Sequence, residues 1–326
     1  MFHSNTTAVM AREKLVGAGR YAYLLSDATF KVVVCTPEHE KLLIEILELL
    51  LPGKHIGSIT FVNKEMHGLV ISEKNVTFDL LCKDEDTQEE FLVEVQNREQ
   101  TSFRDRMLVY STYPIREQME IRVQQIREGK IADPMDYSLT PVYVVSMVNF
   151  PFAHEDERAI ELDYISRYEL RNRHNGELMT PSLSFVYLEL DRLKLKPNEP
   201  EKCRNLLERF VFSMKYMHEL EAKPECFEDE LLGQLFLATE LATMTVTERQ
   251  NYDTAMRNEL DRLAENAFAR KQGIKEGMEK GMEKGMEKGE KRGRILSAKQ
   301  MIDAGFQESD VLKALGLSPD DLTSIK

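Results

Sequence analysis

Two acidic side chains occur in the sequence at positions where they could hold a metal ion together. Residues 75–98 have the pattern of two strands joined by a tight acidic turn, with Asp79 in the first strand and Glu94 in the second. If the hairpin is centred between Asp86 and Thr87, the two acids face each other, about 5 Å apart at Cβ. Facing carboxylates repel, and a divalent cation between them removes that cost. An ordinary hairpin with an acidic face is the alternative, because a one-residue slip would turn one acid to the other side.

The elements around this hairpin are predicted from apolar periodicity and from breaker residues. Residues 37–51 predict a helix that Pro37 begins, and residues 56–63 predict a strand. After the hairpin, residues 102–120 predict a helix with Ser102 as its cap and a kink or split at Pro114.

Two further β-rich runs complete the predicted sheet. Residues 140–150 are almost all apolar, which is typical of a central strand buried on both faces, and residues 182–193 predict another strand. The polar segment between them predicts a hairpin or an excursion from the core. The order strand, helix, strand implies a mixed sheet and therefore an α/β fold.

Several short motifs occur in a fixed order along most of the chain. They are Ser26-Asp27-Ala28-Thr29-Phe30-Lys31, Phe78-Asp79, Glu94-Val95-Gln96, the trio Phe103, Arg106 and Tyr110, the strand Tyr143-Val144-Val145, the run from Leu183 to Leu193, and Gly-x-Glu-Lys repeats near the C-terminus. This ordered set resembles the PD-(D/E)XK nuclease superfamily. More narrowly, it resembles the Rpn family of recombination-promoting nucleases, which are also classed as transposases.

The resemblance implies a restriction-endonuclease-like core, with a mixed central sheet flanked by helices. It also implies a DNA endonuclease that hydrolyses phosphodiester bonds with Mg²⁺ (or Mn²⁺) held by Asp79 and Glu94, and that promotes recombination or acts with a mobile element. Gln96 stands where most PD-(D/E)XK enzymes have Lys, so it could orient a water but could not act as a cation or a base. The sequence shows no DDE-type triad that would support transposition.

The resemblance also suggests supporting residues. Glu45, on the helix before the hairpin, is a further metal-ligand candidate, and a solvated helical face is the alternative. Asp27 and Lys31 are accessory candidates, although Asp27 could equally be a helix N-cap.

DNA contacts are expected from the helix that follows the hairpin. Arg106 and Tyr110 are four residues apart and share a helical face, and Arg104 lies in the same basic stretch. Arginine suits phosphate because its donors form a planar fork. An ion pair of Arg106 with Asp105 or another local acid is the alternative.

Composition restricts the partners and the compartment. The 326 residues carry a net charge of −13, which argues against DNA binding by the whole surface but allows a local basic face in residues 98–130. No apolar run approaches the roughly 20 residues needed to span a membrane. There is no signal-peptide pattern, and the four cysteines form no CxxC pair, so a cytoplasmic protein without disulfides or zinc is expected.

The domain organisation follows from changes in pattern along the chain. We expect a nuclease-like domain over 1–200, a helical region over 201–270, a repeat segment over 271–294 and a small helical module over 295–326. The repeat segment has Gly at every fourth position, so it predicts either a helix ordered by self-association or a flexible charged linker. The last module predicts short helices separated by glycines, with acids that favour docking to protein over DNA.

A second function remains open at this point. The chain could be a catalytically weak or inactive interaction protein on a nuclease scaffold, assembling through its C-terminal helices.

Overall fold

The computed structural model describes residues 19–25, 27–62, 80–130, 137–152 and 164–323. The chain forms two compact units, Met1–Leu260 and Asp261–Lys326.

A six-stranded mixed sheet forms the centre of the first unit. The strand order is β1-β2-β3-β4-β6-β5, with β3, β4 and β6 parallel and the other neighbours antiparallel. The strands are β1 (Ile59–Phe61), β2 (Leu80–Asp84), β3 (Glu90–Gln96), β4 (Val142–Val148), β5 (Ile165–Glu169) and β6 (Leu183–Glu189). The predicted mixed sheet and α/β class are confirmed, and β5 shows that the polar segment before β6 contains a hairpin strand.

The β2–β3 hairpin has the predicted register. Leu80 pairs with Val93 and Lys83 pairs with Glu90, as expected for a hairpin centred between Asp86 and Thr87. Asp79 precedes the first described residue of β2, so its position opposite Glu94 remains a prediction.

Helices cover both faces of the sheet, and further helices follow as far as Thr323. They are α1 (Asp27–Val33), α2 (Glu40–Leu50), α3 (Phe103–Arg127), α4 (Leu206–Tyr216), α5 (Glu230–Thr239), α6 (Val246–Asp303), α7 (Glu308–Leu315) and α8 (Pro319–Thr323). Short 3₁₀ turns occupy Pro37–His39, Leu190–Arg192, Pro200–Lys202 and Met217–Glu219. Among the described residues, none of these helices combines the length and the apolar character needed to cross a membrane.

The alternation of β3 separates two hydrophobic cores. Phe91 and Val93 point into the larger core, which the apolar faces of α1, α2, α4 and α5 complete. Leu92 points to the other face, where it packs with Phe103 and Met107 of α3. Every residue of β4 is buried, as expected for a strand covered on both sides.

Two predictions for α3 hold only in part: Pro114 does not split the helix, and Ser102 occupies the N-cap position without a side-chain hydrogen bond. The helix continues through Pro114 to Arg127 without a split. Pro114 is buried in the helix, and this packing opposes the roughly 3 kcal/mol that an internal proline costs. Ser102 does not cap the helix through its side chain, since it adopts a left-handed conformation (φ 59°) and gives Arg106 its backbone carbonyl instead.

In the second unit the repeat segment is helical. Residues 271–294 lie within α6, and the self-association that was predicted to order them stays a prediction. Gly305 (φ 96°) and Gly316 (φ 63°) break the chain before α7 and α8, as predicted, in a backbone region that favours glycine. Asp321 accepts hydrogen bonds from the backbone and hydroxyl of Ser318 and pairs with Lys291 at 2.6 Å.

Candidate active site at the carboxyl ends of the parallel strands

Three buried polar residues of β3 share the face that lies under α3. Glu90, Glu94 and Gln96 are each 5% exposed, and Leu92 between them belongs to the smaller core. The two-residue period of a strand places all four side chains on one side. Glu94 and Gln96 therefore reach the carboxyl end of a parallel strand, the end at which α/β sheets usually bind ligands.

Arg106 of α3 binds both of these residues. Its Nη2 donates to Glu94 Oε1 at 2.7 Å and to Gln96 Oε1 at 3.0 Å, and its Nη1 donates to Gln100 Oε1. The guanidinium also lies over the ring of Phe103, 5.0 Å from its centroid. The positive charge that Gln96 lacks is thus brought to its amide oxygen by another element.

The neighbouring strands continue this polar face. Ser146 of β4 lies beside Glu94, and Tyr187 of β6 lies beside Ser146. Ser146 is fully buried, and its hydroxyl has no hydrogen-bond partner among the residues that the structure describes. Burial raises the pKa of Tyr187 to about 12, with the charge of Arg104 acting weakly in the opposite direction. Tyr187 therefore stays neutral near pH 7 and does not act as a general base.

Glu189 is a buried acid on this face that the sequence did not single out. It ends β6, level with Gln96 across Val148, and it is fully buried. Its carboxylate accepts hydrogen bonds from the Phe152 backbone (3.2 Å) and the Ser166 hydroxyl (3.0 Å) and pairs with Arg192. Glu189 thus anchors the chain after β4. The sequence offered one signal for Glu189, namely an acid within residues 182–193, which predict a strand.

Arg104 is held beside this anchored segment. Its guanidinium lies 4.3 Å over the ring of Phe152, and its Nη2 donates to the Tyr168 hydroxyl at 3.2 Å. The side chain is exposed, so the aromatic contacts orient a cation that solvent and an anion can reach.

A chain of hydrogen bonds fixes the end of β3. Asn97 donates to the Tyr23 hydroxyl (2.6 Å) and accepts from the Asn149 amide (2.9 Å). The Asn149 backbone N–H donates to the carbonyl of Gln96 at 2.9 Å. This network limits the movement of the backbone that carries Gln96.

A family model described as PD-(D/E)XK nuclease family transposase matches residues 24–267. The chain belongs to this family. No curated protein and no solved structure matches the chain. The family predicted from the ordered motifs is therefore confirmed, and the matched region contains Glu94, Gln96 and Arg106.

The structure does not bring every predicted site residue to the polar face of β3. Glu45 lies on α2, which packs in the core on the opposite face of the sheet, and it accepts a hydrogen bond from Gln234. Asp27 is the first residue of α1, and its side chain lies outside the described residues. Lys31 is exposed on the same helix.

Arg106 and Tyr110, two of the predicted DNA-contact residues, lie close together. Tyr110 is partly buried, and its ring centroid is 5.5 Å from the guanidinium of Arg106. Arg106 pairs with Glu94, so the acid that it contacts is the predicted metal ligand.

The oxygen donors at this site are of the kind that hard divalent cations prefer. PD-(D/E)XK nucleases generally use such ions. Glu94 offers a buried carboxylate and Gln96 a neighbouring amide oxygen, both within hydrogen-bonding distance of one nitrogen. The described residues contain no group of three or more His, Cys, Asp or Glu side chains that could hold a metal ion. The second predicted carboxylate, Asp79, lies outside them.

Proposed function

We propose that this protein is a DNA endonuclease that hydrolyses phosphodiester bonds with a divalent metal ion, Mg²⁺ or Mn²⁺. The observation that supports this best is the buried pair of Glu94 and Gln96 under Arg106, at the carboxyl end of a parallel strand. It lies in a chain of the PD-(D/E)XK nuclease family.

In this proposal each side chain has a limited role. Asp79 and Glu94 hold the metal ion. When bound, the ion supplies an activated water and stabilises charge on the phosphate. Gln96 orients the water by hydrogen bonding, and its amide cannot take a proton at neutral pH.

DNA binds through a small basic surface rather than the whole protein. Arg104 and Arg106 of α3 lie next to the site, whereas the net charge of the chain is −13. The binding should therefore be weak, and its dependence on salt should be shallow, because few phosphates are neutralised. In the cell the protein would promote recombination or act with a mobile element.

The alternative is an interaction protein on the nuclease scaffold that assembles through its C-terminal helices. One observation favours it: α6 exposes Met278, Met282 and Met286, each at least 63% exposed, in successive Gly-Met-Glu-Lys units. Exposed apolar side chains repeated along one helix are typical of a surface that another helix covers. Self-association is compatible with either function, and light scattering of the purified chain measures it.

Plasmid cleavage tests the proposal. Purified wild type, Asp79→Asn and Glu94→Gln are incubated with supercoiled DNA and Mg²⁺ or Mn²⁺. Glu120→Gln is the matched control, because Glu120 lies on α3, is 67% exposed and pairs with Arg116.

We expect nicking or linear product from the wild type and from Glu120→Gln, and no product from the other two variants. Cleavage that survives both site variants would place the activity elsewhere. A wild type that is inactive with every divalent metal ion would favour the interaction protein.

A further inference from the structure

Arg106 has two sets of contacts with different chemistry. Its guanidinium binds the two oxygens proposed to serve the metal site, Glu94 Oε1 and Gln96 Oε1. The same group is supported from behind by Gln100 and by the rings of Phe103 and Tyr110. The supporting contacts involve neither oxygen, so they can orient the arginine whether or not it touches Glu94.

We propose that Arg106 exchanges between two anions. It neutralises Glu94 when no nucleic acid is bound, and it moves to a phosphate of the DNA backbone when DNA occupies the site. In the free protein Arg106 and the metal ion therefore compete for Glu94. The inference rests on the proposed nuclease function.

The competition follows from electrostatics at a buried carboxylate. The Arg106 side chain is 27% exposed, whereas that of Glu94 is 6% exposed. A buried carboxylate attracts either cation strongly, but the two cations repel each other when both are close to it.

The more exposed partner is the one that can leave. Arginine binds phosphate through the same planar fork of N–H donors that it uses for carboxylate, so a DNA phosphate can replace Glu94 as its partner. DNA binding would withdraw Arg106 from Glu94 and free the carboxylate for the metal ion. Metal and DNA would then each strengthen the binding of the other.

Arg104 provides an internal comparison. It lies two residues away on the same helix and carries the same charge, but its contacts are the ring of Phe152 and the hydroxyl of Tyr168. Replacing Arg104 by Gln removes one positive charge from α3 without changing a contact to Glu94, so it tests the long-range electrostatic effect of the helix's charges.

The first experiment measures Mn²⁺ binding to the full-length protein without DNA, by electron paramagnetic resonance and by calorimetry. The samples are wild type, Arg106→Gln, Arg104→Gln and Glu94→Gln. We expect Arg106→Gln to bind Mn²⁺ about tenfold more tightly than wild type, because an adjacent opposite charge changes a carboxylate's affinity for a competing proton by a comparable or larger factor. Arg104→Gln should match wild type, and Glu94→Gln should bind weakly or not at all.

The outcomes separate the exchange from the proposed function. Equal or weaker Mn²⁺ binding by Arg106→Gln, with wild-type binding intact, would overturn the exchange and leave the metal site standing. If wild type shows no Mn²⁺ binding that is lost in Glu94→Gln, both the exchange and the proposed metal site are wrong. Thermal melts with and without Mn²⁺ show whether each variant is folded, and a larger Mn²⁺-induced rise in Tm for Arg106→Gln supports the same conclusion.

The second experiment tests the DNA half of the exchange. Fluorescence anisotropy in EDTA, where cleavage is absent, measures the binding of a short duplex. Glu94→Gln should bind more tightly than wild type because it releases Arg106, and it should give no gain in the Arg106→Gln background. Glu90→Gln is the control, since Glu90 is equally buried on the same face but accepts from Gln118. An equal gain from Glu90→Gln, or a gain that persists without Arg106, would refute the exchange.

Discussion

The contact between Arg106 and Glu94 predicts an unequal cost when either partner is removed. Replacing Arg106 by Gln leaves a carboxylate that is 6% exposed without its cation. Breaking a buried ion pair in this way costs about 3 kcal/mol of unfolding free energy, since the remaining charge cannot return to water. Replacing Glu94 by Gln keeps an acceptor for Nη2, and Arg106 at 27% exposure is still hydrated. That substitution should cost only about 1 kcal/mol.

The double variant should be more stable than the sum of the two changes predicts. Once Glu94 is neutral, removing Arg106 no longer leaves a buried charge, so we expect a coupling energy of about 1–2 kcal/mol. Urea unfolding of the four proteins, in EDTA and at pH 7, gives the free energies by linear extrapolation, and equal m-values confirm that the comparison is valid. The control pair is Arg116→Gln and Glu120→Gln, an exposed ion pair on the same helix, for which coupling should be at most about 0.5 kcal/mol. Additive effects at positions 94 and 106 would refute the claim that this pair is an energetic unit.

Three further predictions concern the core, the repeat helix and the polar face. Leu188→Ala, in the fully buried core, should cost about 2–5 kcal/mol in urea unfolding, whereas Leu237→Ala, at 63% exposure, should change stability by less than about 0.5 kcal/mol. Gly281→Ala should slow amide exchange in the repeat helix, because a Cβ there meets no atom within 4 Å and Ala is favoured by about 1 kcal/mol; faster exchange would indicate that the glycine is needed for close helix contact. Tyr187→Phe should remove a component that titrates near pH 12 in the absorbance of the folded protein. Because the folded pKa of Tyr187 is raised, its stabilising contribution is present below pH 10 and is lost as the pH rises through about 12. A Tyr187 midpoint near pH 10 would contradict the burial argument.

Local pattern was sufficient for the elements that position the site. The apolar stripe of α2 can be buried only with that face toward the core, and the nearly continuous apolar run of β4 only between two covered faces. Both elements therefore lie where the sequence predicts. The register of the β2–β3 hairpin was predicted because its turn is short and its strands alternate. A slip by one residue would have moved Phe91 to the face under α3 and placed Glu90 and Glu94 in the larger core.

Contacts between distant segments were beyond the same reasoning. Arg106 could have paired with Asp105 next to it, and only the packing of α3 over β3 selects Glu94. Glu189 shows the same limitation, since its partners come from β5 and from the chain after β4. A split at Pro114 was expected as one alternative and is absent, because the cost of a proline is local, whereas the packing that opposes it is tertiary.

The position of Arg106 changes what the Gln at the end of the family motif implies. A lysine at position 96 would supply both a positive charge and a group able to exchange a proton, and Gln96 supplies neither. Arg106 restores the charge, since its guanidinium lies 3.0 Å from Gln96 Oε1, but an arginine does not lose its proton in a protein. Charge stabilisation and proton transfer are therefore separated in this site: the first can come from α3, and the second must come from a carboxylate or from solvent. In the proposed function α3 carries Arg104 as well as Arg106, so the helix that supplies the charge would also meet the DNA and would link substrate binding to the state of Glu94.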